Sequence, residues 1–156
     1  MSRAVSRVEE AARQLGLSID VRRFPQGTRT AADAARAVNC EVGQIVKSLV
    51  FVADGEPFLA LTSGANRADV GKLAGLVGAS EVRRASPEEA RAATGFAIGG
   101  TPPFGHPAPL RVLVDRDLLA YEEVWAAAGA PDAVFELSPE ELLRVSGGSP
   151  ADFAEP

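Results

Sequence analysis

Ile45-Val-Lys-Ser-Leu-Val-Phe51 runs on to Ala53, meets Asp54-Gly55, and resumes as Phe58-Leu-Ala-Leu61; the reading of this stretch decides the fold. The first run is β-rich, and Asp-Gly between two apolar runs signals a tight hairpin. Side chains alternate between the two faces of a strand. Lys47 therefore shares a face with Ile45, Leu49 and Phe51, while Ser48 points the other way with Val46 and Val50. An ammonium on an apolar strand face costs free energy unless an anion meets it. Two readings of Lys47 stay open. Either its stem lies on apolar surface while its head reaches water, or it is a cation aimed into a pocket, waiting for a carboxylate, a phosphate or a developing oxyanion.

Helices and strands alternate on both sides of this hairpin. Towards the N-terminus, Val5, Val8, Ala12 and Leu15 recur at helical spacing and Gly16 follows as a stop. Leu17, Ile19 and Val21 then alternate with polar residues, predicting a half-buried strand that reaches Phe24 and is broken by Pro25-Gln-Gly27. Thr30 with Asp33 opens a short Ala-rich helix ending near Asn39. Towards the C-terminus, Asp69 to Val77 reads as a helix stopped by Gly78. Ser86-Pro-Glu-Glu89 and Ser138-Pro-Glu-Glu141 are two near-identical helix starts, closed by Gly95 and Gly147. Leu110–Val114 and Ala133–Leu137 read as strands, whereas Leu118–Ala128 fits either period. No repeat or linker divides the chain. We expect one mixed α/β domain over residues 1–148 and a loose tail over 149–156.

Composition narrows the function classes. The chain has 156 residues, 46% hydrophobic and 24% charged, enough for a single core. Its single Cys excludes a disulfide framework, and one Cys with one His is too few for a closed zinc site. No apolar stretch approaches the ~20 residues of a membrane span. The N-terminal residues lack an apolar signal core, so the expected location is cytoplasmic. A net charge of −5 argues against a large phosphate-neutralising surface, though not against a small contact with an RNA end. Of 16 basic residues only Lys47 and Lys72 are lysines.

Beyond Lys47, the loop Phe96-Ala-Ile-Gly-Gly-Thr-Pro-Pro-Phe-Gly-His106 holds the other candidates. Paired glycines Gly99 and Gly100 let backbone N–H groups approach a ligand, and Pro102 and Pro103 stiffen the loop. The same composition also suits a plain tight connection. Cys40 and His106 are the minimum for a thiolate–imidazole pair, but they lie on distant segments, and a lone Cys usually packs as a small hydrophobe. The glutamate pairs 88–89 and 140–141 are accounted for by helix capping. Arg22-Arg23 and Arg83-Arg84 are ordinary solvated charges by default, though either doublet can touch RNA phosphates.

Four stretches together resemble the YbaK/ProX family of free-standing aminoacyl-tRNA deacylases, relatives of the editing domain inserted in bacterial prolyl-tRNA synthetases. They are Thr30-Ala-Ala-Asp-Ala-Ala, Gly43-Gln-Ile-Val-Lys-Ser-Leu-Val-Phe, Gly64 through Lys72-Leu-Ala, and Thr94-Gly-Phe-Ala-Ile-Gly-Gly-Thr-Pro-Pro-Phe-Gly-His. The resemblance covers almost the whole chain. Its two specific motifs are the strand lysine, here Lys47, and the Gly-x-x-x-Pro loop, here Gly99 to Pro103.

The resemblance implies an α/β (α+β) fold, a mixed and strongly curved β-sheet flanked by helices, with Val124 to Leu137 as a hairpin. It implies a trans-editing hydrolase that cleaves the ester of mischarged aminoacyl-tRNA with neither metal nor cofactor. Lys47, Gly99 and Gly100 would be catalytic, and Phe24, Thr30, Ser48, Thr101, Pro102, Pro103 and His106 would contact substrate. The partners would be the 3′ acceptor end of aminoacyl-tRNA and an aminoacyl-tRNA synthetase that holds the tRNA body, with no membrane and no DNA. The alternative is a non-catalytic module of the same fold that captures an aminoacyl or nucleotide end or docks on a synthetase. Cysteine-specific members carry a Ser and an Asp where this chain has Ala127 and Val134, so the resemblance assigns no Cys specificity here.

Overall fold

Asp54 and Gly55 take positive φ values of 48° and 90°, which is the backbone of a two-residue hairpin turn matched to strand twist. The computed structural model describes residues 3–24 and 30–156. In chain order its elements are α1 (Arg3–Gln14), β1 (Arg22–Arg23), α2 (Ala31–Val38), β2 (Val46–Ala53), β3 (Glu56–Ser63), α3 (Val70–Val77), β4 (Val82–Arg84), α4 (Pro87–Thr94), β5 (Arg111–Asp115), β6 (Val124–Ala127), β7 (Ala133–Leu137), α5 (Pro139–Ser146) and β8 (Ser149–Ala151). Single 3₁₀ turns cover Val42–Gln44 and Arg116–Ala120.

The strands form two sheets. One has five strands in the order β4-β2-β3-β5-β8, with β3–β5 and β5–β8 parallel and the other pairs antiparallel. The other has three antiparallel strands, β1-β7-β6. A single bridge between Ile45 and Trp125 joins them. This is the expected mixed α+β architecture, and residues 124–137 form the expected hairpin.

Alternation along β2 divides the interior. Val46, Val50 and Val52 pack with Val5, Val8, Phe135, Leu142 and Val145 in the main core. Phe51 faces the other side with Phe58, Leu73, Leu113 and Phe153. A third cluster sets Ala34 and Ala35 of α2 against Ile45, Trp125 and Val134. Thr30, Ser86 and Ser138 each cap a helix through a reciprocal box with Asp33, Glu89 and Glu141, and Asn39, Gly95 and Gly147 close those helices in the left-handed region, as the sequence predicts.

Three expectations change. Leu17, Ile19 and Val21 do alternate inwards, yet only Arg22–Arg23 forms a ladder with β7; the preceding residues pack against the main core without strand pairing. The break at 25–27 lies outside the described residues. Leu15 falls in the turn after α1 and is exposed. Residues 149–156 are not a loose tail. Ser149–Ala151 adds a parallel edge strand to β5, Phe153 is fully buried, and Lys72 donates to the Ala154 carbonyl at 2.8 Å. Phe153 buries an aromatic ring that a free tail would leave in water.

Candidate functional site

The paired length of β2 differs on its two sides. Its β3 side is laddered from Val46 to Ala53, whereas β4 covers only Phe51 to Ala53. Gly64 N–H donates to the Ile45 carbonyl, and Ala85 N–H to that of Val50. Antiparallel alternation therefore directs the main-chain groups of Ser48 away from β3, towards the uncovered edge. Against that edge lies a cavity of about 270 Å³. Helix α2, the loop at Ile98–Thr101, Arg84 and the β6–β7 hairpin form its other walls.

Lys47 lines this cavity and is half-buried. Its Nζ donates to the Asn66 carbonyl at 2.5 Å. Asn66 is itself held, its Nδ2 donating to Asp115 at 2.9 Å and to Asp117 at 2.8 Å. Asp115 is 2% exposed and also accepts from the backbone N–H groups of Ser63 and Asp117. A buried carboxylate with that many donors is a rigid anchor. The ammonium is thus positioned through Asn66, without a direct ion pair. Burial pushes the Lys47 pKa below its ordinary value; the nearby Arg84 and Arg67 charges push the same way, and Asp115 opposes them.

The loop lines the same cavity as this lysine. Gly99 lines it and has φ of 89°, a backbone that a side chain would strain. Gly100 is buried behind it: a Cβ there would sit 2.7 Å from the Gly129 carbonyl oxygen. Its N–H donates to the Ala97 carbonyl and its own carbonyl accepts from Gly129 N–H. Gly100 thus locks the loop onto the β6–β7 hairpin, and its N–H is already engaged. Thr101 lines the cavity, with its hydroxyl donating to the Ala97 carbonyl at 3.3 Å.

Thr30 and Ser48 also line it. The Thr30 hydroxyl is used in capping α2, whereas Ser48 Oγ is buried without a partner, as is Trp125 Nε1 on the opposite wall. Phe24 packs on the Ala34–Trp125–Val134 cluster behind that wall. Pro102 and Pro103 are buried outside the lining.

His106 is not brought to this cavity. It borders a second one with Leu15, Phe104 and Val145, its Nε2 donating to the Pro102 carbonyl at 2.9 Å, and burial pushes its pKa down. It braces the loop from behind. Cys40 lines neither cavity; burial and the charges of Glu123 and Glu41 hold its thiol protonated by raising its pKa. Among the described residues no three His, Cys, Asp or Glu side chains gather as a metal site. The residues that sequence reasoning missed are Asn66, Asp115 and Trp125. Asp115-Arg-Asp117 directly after a strand is the signal that a carboxylate caps that strand's end. Ala127 and Val134 are direct partners across the hairpin and both face the cavity.

The geometry is that of a small cationic cavity at an open sheet edge, closed by a glycine loop. The sequence matches the aminoacyl-tRNA editing domain family over residues 25–145, and the chain belongs to that family. It is 29% identical over 127 residues to the protein YwhH of Bacillus subtilis (strain 168), covering 81% of each. It is also 35% identical over 127 residues to a proline–tRNA ligase of Solidesulfovibrio magneticus, covering 81% of this chain but only 20% of that ligase. Among solved structures, a protein put forward as a trans-editing enzyme for prolyl tRNA synthetase superposes with a TM-score of 0.95 at 51% identity, covering 100% of this chain and 99% of that one. The hypothetical protein APE2540 superposes with a TM-score of 0.87 at 31% identity, covering 96% and 99%.

Proposed function

We propose that this chain is a trans-editing hydrolase that cleaves the ester joining a wrong amino acid to the 3′ end of a tRNA. The observation that supports this reading is that Lys47 and Gly99 line one cavity. Membership of the editing-domain family supports it, as does the likeness to the proposed trans-editing enzyme. The matched region corresponds to about a fifth of the Solidesulfovibrio ligase.

In this mechanism the ester carbonyl sits between Lys47 and the loop. Water attacks the carbonyl carbon, negative charge develops on its oxygen, and the bond to the ribose oxygen breaks as that oxygen takes a proton. Gly99 N–H and the Lys47 ammonium stabilise the oxyanion, a role for which preorganised donors in a dry site are effective. Gly100 keeps the loop in place. Among the described residues the cavity lining holds no Asp, Glu, His or Cys, so no carboxylate, imidazole or thiol there serves as general base or nucleophile. The substrate's own neighbouring ribose hydroxyl supplies that function. Ala31, Ala34, Ala127 and Val134 form an aliphatic wall suited to a small, apolar amino-acid side chain. Ser48 Oγ and Trp125 Nε1 lack protein partners, and the substrate's polar atoms or water satisfy them.

With a net charge of −5, the domain binds the tRNA body weakly and works in the cytoplasm beside a synthetase that holds it. The test is a panel of mischarged tRNAs incubated with the purified protein, following release of free amino acid. Release from at least one small aliphatic aminoacyl-tRNA, undiminished by a chelator, is expected. Acceptor-end binding with no release from any member of the panel would replace the hydrolase by a capture module.

A further inference from the structure

Adjacent arginines on β4 have opposite fates. Successive side chains on a strand point to opposite faces. Arg83 is held by Glu89 through two hydrogen bonds of 2.7 and 2.8 Å, a pairing that lowers the Glu89 pKa to about 2. Arg84 lines the cavity instead. Its guanidinium carbon lies 5.6 Å from the centroid of the Phe51 ring, and Phe51 is its cross-strand partner. No carboxylate pairs with Arg84 among the described residues. Because Phe51, Leu49 and Lys47 share a strand face, Arg84 and Lys47 are two cations on one face, separated by Leu49.

We propose that Arg84 is the phosphate-holding residue of this site, gripping the phosphodiester of the nucleotide that carries the ester. The inference rests on the editing reading. Two like charges beside an apolar wall repel each other, and an anion between them relieves that repulsion. Their effect is already present in the downward push of Arg84 on the Lys47 pKa. Asp115 forms no ion pair with either cation, its oxygens accepting from Ser63, Asn66 and Asp117, and its charge offsets the downward push on Lys47 only in part.

The substrate's chemistry decides which anion this is. Esterification removes the amino acid's carboxylate charge and leaves its α-ammonium, so the anion that remains on an aminoacyl nucleotide is phosphate. A planar guanidinium offers paired donors to phosphate oxygens, and stacking on Phe51 keeps that fork oriented. Arg67, by contrast, has an 86% exposed side chain 4.0 Å from Glu155; it adds to the field and has no fixed aim. A chain of net charge −5 thereby presents a local positive mouth to an RNA end.

The test compares full-length wild type with Arg84→Ala, Arg84→Lys and, as control, Arg83→Ala. Binding of AMP and of adenosine is titrated for each, alongside single-turnover deacylation and a thermal melt. Wild type should bind AMP at least about tenfold more tightly than adenosine, the scale of losing one charge-assisted contact. Arg84→Ala should erase that preference, raise the half-saturating tRNA concentration by a similar factor, leave the saturated rate within about threefold, and melt as wild type does. Arg84→Lys should recover part of the preference, and Arg83→Ala should keep all of it. The slope of log affinity against log salt for tRNA should flatten by about one in Arg84→Ala. A wild type without preference for AMP overturns the proposal. So does Arg84→Ala that retains the preference, or Arg83→Ala that loses as much. If no mischarged tRNA is hydrolysed, the editing reading fails by itself; the AMP preference and its dependence on Arg84 then still decide the phosphate site.

Discussion

The two halves of β2 are built from similar residues and do different work. Phe51 to Ala53 is flanked by β3 and β4, and Phe51 stacks on Phe58 with ring centroids 5.9 Å apart. Val46 to Leu49 has β3 alone as a ladder partner, and its other edge opens on the cavity with Lys47 and Ser48. A continuous ladder satisfies the backbone and leaves nothing for a ligand. Where β4 stops, the same strand offers main-chain groups, an orphan hydroxyl and an ammonium. The candidate site is an interruption of the sheet, with the stabilising ladder and the cavity-lining groups in neighbouring stretches of one strand.

The strongest way to break this comparison is a pair of truncations. Lys47→Ala should slow single-turnover deacylation by at least ~10²-fold, the scale of losing an oxyanion-type contact, while its melting temperature stays close to that of wild type. Lys47→Arg should be strongly impaired too, since a flat fork does not replace a point charge. Phe51→Ala should cost about 3–5 kcal/mol of stability, measured by denaturant unfolding. If Lys47→Ala melts early and still cleaves normally, the two halves do not differ as described.

Asp115→Asn probes the support behind the open half. It keeps the shape but points an NH₂ group at donors that need an acceptor. Leaving those buried groups unpaired should cost about 1–3 kcal/mol. The rate should fall about tenfold as Asn66, and with it Lys47, loosens. A normal rate in a destabilised Asp115→Asn protein would show that Lys47 does not depend on this network.

Titration sharpens the comparison further. The Lys47 pKa is lowered by burial and by Arg84 and Arg67, so the ammonium loses its proton below the ordinary value of 10.5. Activity should therefore decline on an alkaline limb that begins earlier than for a free lysine. Stability should move the opposite way. A depressed folded-state pKa means that the unfolded chain binds more protons between the two values, so this group's contribution rises with pH across that window. Lys47→Met should remove both trends, as followed by pH–rate profiles and melts.

The smallest effect is expected at Cys40, whose Sγ donates to the Glu41 carbonyl at 3.3 Å outside the cavity. Cys40→Ser should change the rate less than about tenfold, through packing alone. A folded but inactive Cys40→Ser protein would require a thiol mechanism.

Local signals carried much of this fold. The Asp54-Gly55 turn, the Thr30, Ser86 and Ser138 capping boxes and the left-handed helix ends depend on residues within a few positions of each other, and they stand where the sequence places them. Ala133–Leu137 read as a strand directly, whereas its hairpin partner Val124–Ala127 had no clear period of its own and was legible only through family resemblance. Residues 149–156 misled because their order comes from distant partners, β5 and α3.

For the site, sequence alone determined that Lys47 stands on an apolar strand face and that a Gly/Pro loop interrupts regular structure, since strand alternation and backbone freedom are properties of the local chain. Tertiary structure alone decided what those features meet. It joined Lys47 to Asp115 through Asn66, set Gly100 against Gly129, kept His106 behind the loop, and gave Arg83 a carboxylate while leaving Arg84 without one. Each of these outcomes depends on where a sheet edge ends and which elements cross it, and such contacts between distant residues leave no period in the sequence.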